Sequence, residues 1–129
     1  LELLDSKTFA PILENRRIVK EFLSFALGIA QGGSALPLLE RFSKKREGLA
    51  EQIAMIQLAL RDVIISKKSD VAPLCFFASR DEVAVFCDAA SISKLLSIFD
   101  ALDTAARRIS RNANVRLTLV SLFTDTDMI

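Results

Sequence analysis

Few residues in this chain are of a type that does chemistry. Two cysteines, Cys75 and Cys87, stand twelve positions apart in the apolar settings LCFF and VFCD, and histidine is absent. That absence removes the commonest general base and the commonest metal ligand. A cysteine nucleophile would need an activating neighbour, and a zinc site built from two cysteines would lack ligands. What remains is a pair of buried, reduced thiols acting as small hydrophobes, as a reducing cytoplasm allows. No glycine-rich phosphate loop, no paired carboxylates and no nucleophile with a base can be assembled. Catalytic residues, cofactor-binding residues and metal ligands are therefore all expected to be none.

The charged residues offer a second chemistry. Arg61 and Asp62 interrupt the apolar run LALRDVII, either as a buried or interfacial ion pair or as part of a solvated face. Lys44, Lys45 and Arg46, with Arg107, Arg108, Arg111 and Arg116, could contact phosphates. Seventeen basic against sixteen acidic side chains leave a net charge of only +1, so there is no long-range field to draw nucleic acid or anionic lipid, and a DNA-binding role would need a local patch. The lysine-rich triplet reads more simply as charge at an exposed helix entrance. Arg107, Arg108 and Arg111 fall where positive charge complements a helix C-terminus.

The elements that position these residues follow from composition and period. A chain of 129 residues, 51% apolar and 26% charged, is sized for one domain with a substantial core. Only 4 Gly and 3 Pro leave little room for loops, which points to an all-α chain. No apolar run of about 18 residues appears, so no membrane span is expected, and no secretory signal is present. The opening LELLDS reads as the end of a helix belonging to something upstream, which makes residues 1–8 a remnant and 9–129 the domain.

From Phe9 a long helix is expected, with Pro11 in its first turn. It carries two apolar stripes: Phe9, Ile12, Val19, Leu23, Ala26 and Ala30, and beside them Ile18, Phe22, Phe25 and Ile29. Two stripes imply packing on more than one neighbour, either inside the domain or outside it. The sequence QGGS, residues 31–34, is the expected break, with Ser34 free to cap a short helix that holds Pro37 and reaches about Ser43. Leu49, Ile53, Ile56, Leu60 and Val63 or Ile64 repeat at helical spacing. Residues 71–77 read as an irregular stretch that buries Phe76 and Phe77. Ser79 with Glu82 has the pattern of a capping box for a helix reaching about Ala90. Ser91 caps the next helix, whose seam is Ile92, Leu95, Phe99, Leu102, Ala106 and Ile109, with Ala105 allowing close approach. The closing stretch RNANVRLTLVSLF alternates like a strand, yet Val115, Leu119, Leu122 and Phe123 also lie on one helical face. The expected architecture is a bundle of five to six helices.

The segment Arg107-Arg108-Ile109-Ser110-Arg111-Asn112-Ala113-Asn114-Val115-Arg116-Leu117 resembles the signature closing the C-terminal domain of the bacterial clamp-loader delta prime subunit of DNA polymerase III. LALRDVIISK also resembles a Leu-Arg-Asp-Leu-Leu helix of that family, and LELLDS resembles the end of its AAA+ lid-domain helix. The likeness spans nearly the whole chain, with its specificity concentrated in Leu60 to Lys67 and Asn112 to Leu117. It departs near Phe76 to Arg80, where relatives often carry Asn-Xaa-Asp. The related gamma/tau subunit usually reads Asn-Pro at the corresponding junction, so Asn112-Ala113-Asn114 favours delta prime.

The resemblance implies a collar-type helical bundle that packs beside the gamma/tau and delta subunits and holds the complex together while upstream AAA+ modules load the sliding clamp during DNA replication. The parent subunit would belong to the DNA polymerase III holoenzyme, while this part of it would be no enzyme. The motif residues carried over are Arg61, Asp62, Asn112, Asn114, Arg116 and Leu117. No cofactor, small-molecule ligand or membrane is implied, and direct DNA contact by this domain is not expected. The alternatives are the gamma/tau collar domain and a helical nucleic-acid-binding module. If the resemblance holds, Asn112 terminates one helix and Asn114 caps the next, and the strand-like alternation is misleading.

Overall fold

Local signals set most of the helix boundaries. The computed structural model describes the backbone at residues 6–30 and 33–129, and side chains from Ile12 onward apart from residues 31 and 32. Among the described residues six helices follow one another: α1 (Ser6–Ala26), α2 (Leu36–Arg41), α3 (Arg46–Ser66), α4 (Arg80–Cys87), α5 (Ile92–Ser110) and α6 (Val115–Asp125). There is no strand among the described residues, so the chain is an all-α helical bundle. Most of the opening LELLDS lies outside the described residues. Ser6 to Thr8, read from sequence as part of the remnant, already belong to α1, which places Pro11 in the second turn rather than the first.

The end of α1 corrects the sequence reading. The helix stops at Ala26, not at the glycine pair 32 and 33, because Gly28 adopts φ +78°. The Gly28 and Ile29 N–H groups then donate back to the Phe25 and Ser24 carbonyls at 3.2 and 2.8 Å, a Schellman closure that a left-handed residue permits. Ser34 does not cap α2 in the expected way: its Oγ accepts the Leu36 N–H at 3.1 Å, while the cap position is Ala35. Helix α2 ends at Arg41 rather than near Ser43, and α4 ends at Cys87 rather than near Ala90.

The caps of α4 and α5 fall where they were read. Ser79 Oγ accepts the Glu82 N–H at 3.3 Å, and Ser91 Oγ accepts the Lys94 N–H at 3.2 Å. Glu82 reaches back one residue further than a capping box requires, accepting the Ala78 N–H at 2.9 Å. That bond, with Lys20 at 3.0 Å, holds the Glu82 carboxyl below the usual glutamate range.

Helix α3 is the hub, packing against α1, α4 and α5, while α6 lies on α5 and α2. Leu49, Ile53, Ile56, Leu60 and Val63 are all buried, as their spacing requires. Both ends of α3 are tied to α5 and its approach: Arg46 Nη1 donates to the Ile109 and Ala113 carbonyls, and Lys67 Nζ to those of Cys87 and Ala90. The two long helices therefore run antiparallel.

The seam of α5 is turned slightly from the one expected. Leu95, Ile98, Leu102, Ala105 and Ile109 are buried, whereas Ile92, Phe99 and Ala106 are half-buried. On α1, Ile18 and Phe22 of one stripe and Val19 and Leu23 of the other all enter the domain's own core. The doubled stripe is thus largely accounted for inside the bundle, while Ile12 and Ile29 stay exposed.

Phe22, Phe42 and Phe123 meet edge to face, with centroids 5.7 to 6.2 Å apart, and join α1, the turn after α2, and α6. Gly48 lets that turn approach closely, since a Cβ there would stand 2.2 Å from Ser43 Oγ. Beside it, the buried Gln52 accepts the Ser43 N–H at 2.8 Å and donates to Asn15 at 3.0 Å.

Candidate functional site

Asp62 is completely buried on α3. Its carboxylate accepts the Cys75 N–H at 2.8 Å on Oδ1, and the Phe76 and Phe77 N–H groups at 2.7 and 3.0 Å on Oδ2. Arg61 Nη1 approaches Oδ1 at 3.2 Å, but the Arg61 side chain is 39% exposed. The sequence left open an ion pair or a solvated face; the ion pair is present, with Asp62 buried and Arg61 at the surface, and the carboxylate is in addition a clamp for backbone donors. Three N–H groups converging on one carboxylate replace the hydration it loses on burial.

The clamped loop is gripped from its other side by Arg16, which donates to the Phe76 carbonyl at 2.8 Å while its guanidinium stands 4.3 Å from the Phe76 ring centroid. Phe76 and Phe77 are buried, as expected. With its lone pairs committed to these donors, the Asp62 carboxylate is placed to hold a loop rather than to move a proton.

The second motif is a helix junction. Asn112 takes φ +63°, a conformation that asparagine tolerates better than most residues. The Asn112 and Ala113 N–H groups close α5 on the Ile109 and Arg108 carbonyls at 3.2 and 3.0 Å. Asn114 then caps α6, its Oδ1 accepting the Leu117 N–H at 2.9 Å. The segment is therefore a helix stop followed by a helix start, and its strand-like alternation misleads. Leu119, Leu122 and Phe123 are buried, while Val115 is only half-buried. Asn114→Ala is expected to destabilise the domain by about 0.5 to 2 kcal/mol; urea unfolding with an unchanged midpoint would remove the cap from this account.

The other motif residues lie outside. Arg116 pairs with Glu40 across the α2–α6 contact, and that hydrogen-bonded pair lowers the Glu40 carboxyl and raises the Arg116 guanidinium from their ordinary ranges. Leu117 is exposed. Arg46, read as surface charge at a helix entrance, is half-buried and closes the α5–α6 junction through the two carbonyls it holds. Its reach across 63 residues of sequence had no local signal.

The cysteine reading needs correcting. Cys75 is exposed, and Cys87 is half-buried with its thiol 3.6 Å from the Val63 carbonyl. Burial pushes the Cys87 thiol up, opposite to what an activated nucleophile requires.

One surface went unnoticed in the sequence. Between α3 and α5 lies an open groove of about 600 Å³, lined by Ala54, Leu58, Ile65, Leu96 and Phe99, with Arg61 also at its wall. Leu58 is 45% exposed and Leu96 is 49% exposed. The signal for it is a second apolar strip on α3, outside the buried one: Ala54, Leu58 and Ile65, four and seven residues apart.

No described helix is long and apolar enough to cross a membrane. No family model matches the sequence, and comparison with curated proteins and with solved structures gives no match.

Proposed function

We propose that this chain is the C-terminal assembly domain of a bacterial clamp-loader subunit of the delta prime type, packing with gamma/tau and delta collar domains to hold together a complex that loads sliding clamps in DNA replication. The observation that carries this reading is the Arg107 to Leu117 segment, where the residues of the resemblance have physical work to do. Asn112 supplies the left-handed stop and Asn114 the cap. Ala113 donates its N–H to the Arg108 carbonyl, completing the closure of α5. Asp62, from the second stretch of the resemblance, serves the domain's own fold.

The nucleic-acid reading fares less well. Of its seven basic residues, Arg46 is engaged by two carbonyls, Arg107 lies 3.6 Å from Asp103, and Arg116 pairs with Glu40. The chemistry of the site supports assembly rather than catalysis, since Asp62 is committed to backbone donors and the Cys87 thiol is shifted away from reactivity.

Size exclusion of the chain mixed with gamma/tau and delta collar domains tests the proposal. A larger species containing the chain is expected; separate elution at tens of micromolar would count decisively against it. Salt-dependent DNA binding by the chain alone would favour the nucleic-acid module instead.

A further inference from the structure

We infer that the α3–α5 groove is the face on which a partner docks, and that its occupant is an amphipathic helix carrying an apolar ridge and one carboxylate. The inference rests on the assembly reading above and deepens it by naming the surface. The doubly striped α1 is the obvious docking element from sequence, but its stripes are largely spent on the core. The groove is where, among the described residues, apolar side chains from two separate helices meet at the surface: exposed Leu58 beside half-buried Ile65 on α3, and exposed Leu96 beside half-buried Phe99 on α5.

The type of occupant follows from the groove's walls. Both are helices whose backbone groups bond within the helix, so no sheet edge is available to accept an added strand; a ridge of side chains entering a groove between helices is the mode left. From Ala54 to Ile65 the groove runs eleven residues along α3, about 16 Å, which matches three turns of an incoming helix. Apolar residues at one-turn spacing would fill it.

Charge narrows the choice further. Arg61 is the one charged residue in a lining that is apolar apart from it and Gln57, and among the described residues only its Nη1 has acceptors, Asp62 Oδ1 at 3.2 Å and the Pro73 carbonyl at 3.4 Å. The Asp62 carboxylate it touches is already shared among three backbone donors. The remaining guanidinium donors suit a carboxylate, which they can engage in parallel. The fitting partner is thus an amphipathic helix with an Asp or Glu beside its apolar ridge, where it meets Arg61 between Leu58 and Ile65.

The test uses the whole chain and the same gamma/tau and delta collar domains. Leu58→Asp and Leu96→Asp change exposed positions, and Val85→Asp, at an exposed position on α4, serves as the control; circular dichroism checks that all three remain folded. Wild type and Val85→Asp are expected to bind alike, and the two groove variants to bind about tenfold more weakly or worse. Groove variants that bind as wild type does would overturn the groove assignment and leave the assembly reading standing. If wild type itself fails to bind, the assembly reading falls and this inference falls with it.

Discussion

Asp62→Ala is expected to lower the stability of the domain by about 3 to 5 kcal/mol, a large part of the total for a chain of this size. The substitution strands the N–H groups of Cys75, Phe76 and Phe77. Cys75 lies at an exposed turn where water can replace the lost acceptor, whereas Phe76 and Phe77 are buried and cannot be rehydrated without opening the loop. Asp62→Asn retains one acceptor oxygen but aims an NH2 group at donors, so about half the loss is expected. Arg61→Ala, which removes one flanking contact from a partly exposed side chain, should cost about 1 kcal/mol or less. Thermal unfolding reads the series, with Asp62→Ala melting about 10 to 20 °C lower. A fall of only a few degrees would mean that the loop between α3 and α4 does not depend on this carboxylate.

The second large effect is expected at Phe123. Its side chain is wholly buried and meets both Phe22, at 5.8 Å, and Phe42, at 5.7 Å. Phe123→Ala leaves a cavity bounded by three separate segments, which cannot all collapse into it, and about 3 to 5 kcal/mol is expected to be lost. Phe123→Leu, which refills most of the volume, should cost nearer 1 to 1.5 kcal/mol. A double-mutant cycle with Phe42→Ala should show a coupling of about 0.5 to 1.5 kcal/mol from the edge-to-face pair. Urea unfolding is the measurement, and additive losses at the two positions would show that the rings do not act as a unit.

The features legible in the sequence are those whose partners lie nearby. Ser79, Ser91 and Asn114 each accept an N–H three residues onward, so the cap and its donor fall within one short window. The buried stripe of α3 was equally plain, because apolar residues there recur over the full length of the helix. By contrast, Phe99 and Ala106 were read into the α5 seam and Ile98 was left out of it, although Ala105 was named as a point of close approach. Neighbouring residues on a helix are about 100° apart, and both sets repeat every seven positions. Which set turns inward depends on how α3 and α6 lie against α5, and the sequence of α5 does not contain that.

The misses at Asp62, Arg46 and the α3–α5 groove share this non-local origin. Asp62 finds its donors 13 to 15 residues away, and Arg46 its acceptors 63 and 67 residues away. Gly28 was passed over for the more conspicuous glycine pair after it, although the apolar Ala26-Leu27 and Ile29-Ala30 on either side gave no sign that the helix had ended. The α3–α5 groove exists only once both helices have chosen which face to bury, so Leu58 and Leu96 look like ordinary helix residues until they are placed side by side.

Assembly with other subunits, rather than catalysis or the reading of DNA, is the function proposed for this chain. Sedimentation velocity of the 14.2 kDa chain with equimolar gamma/tau and delta collar domains tests it most directly. The account predicts a boundary faster than that of any component or pair lacking the chain, with the chain's own slow boundary depleted. Independent boundaries for every component at tens of micromolar would contradict it.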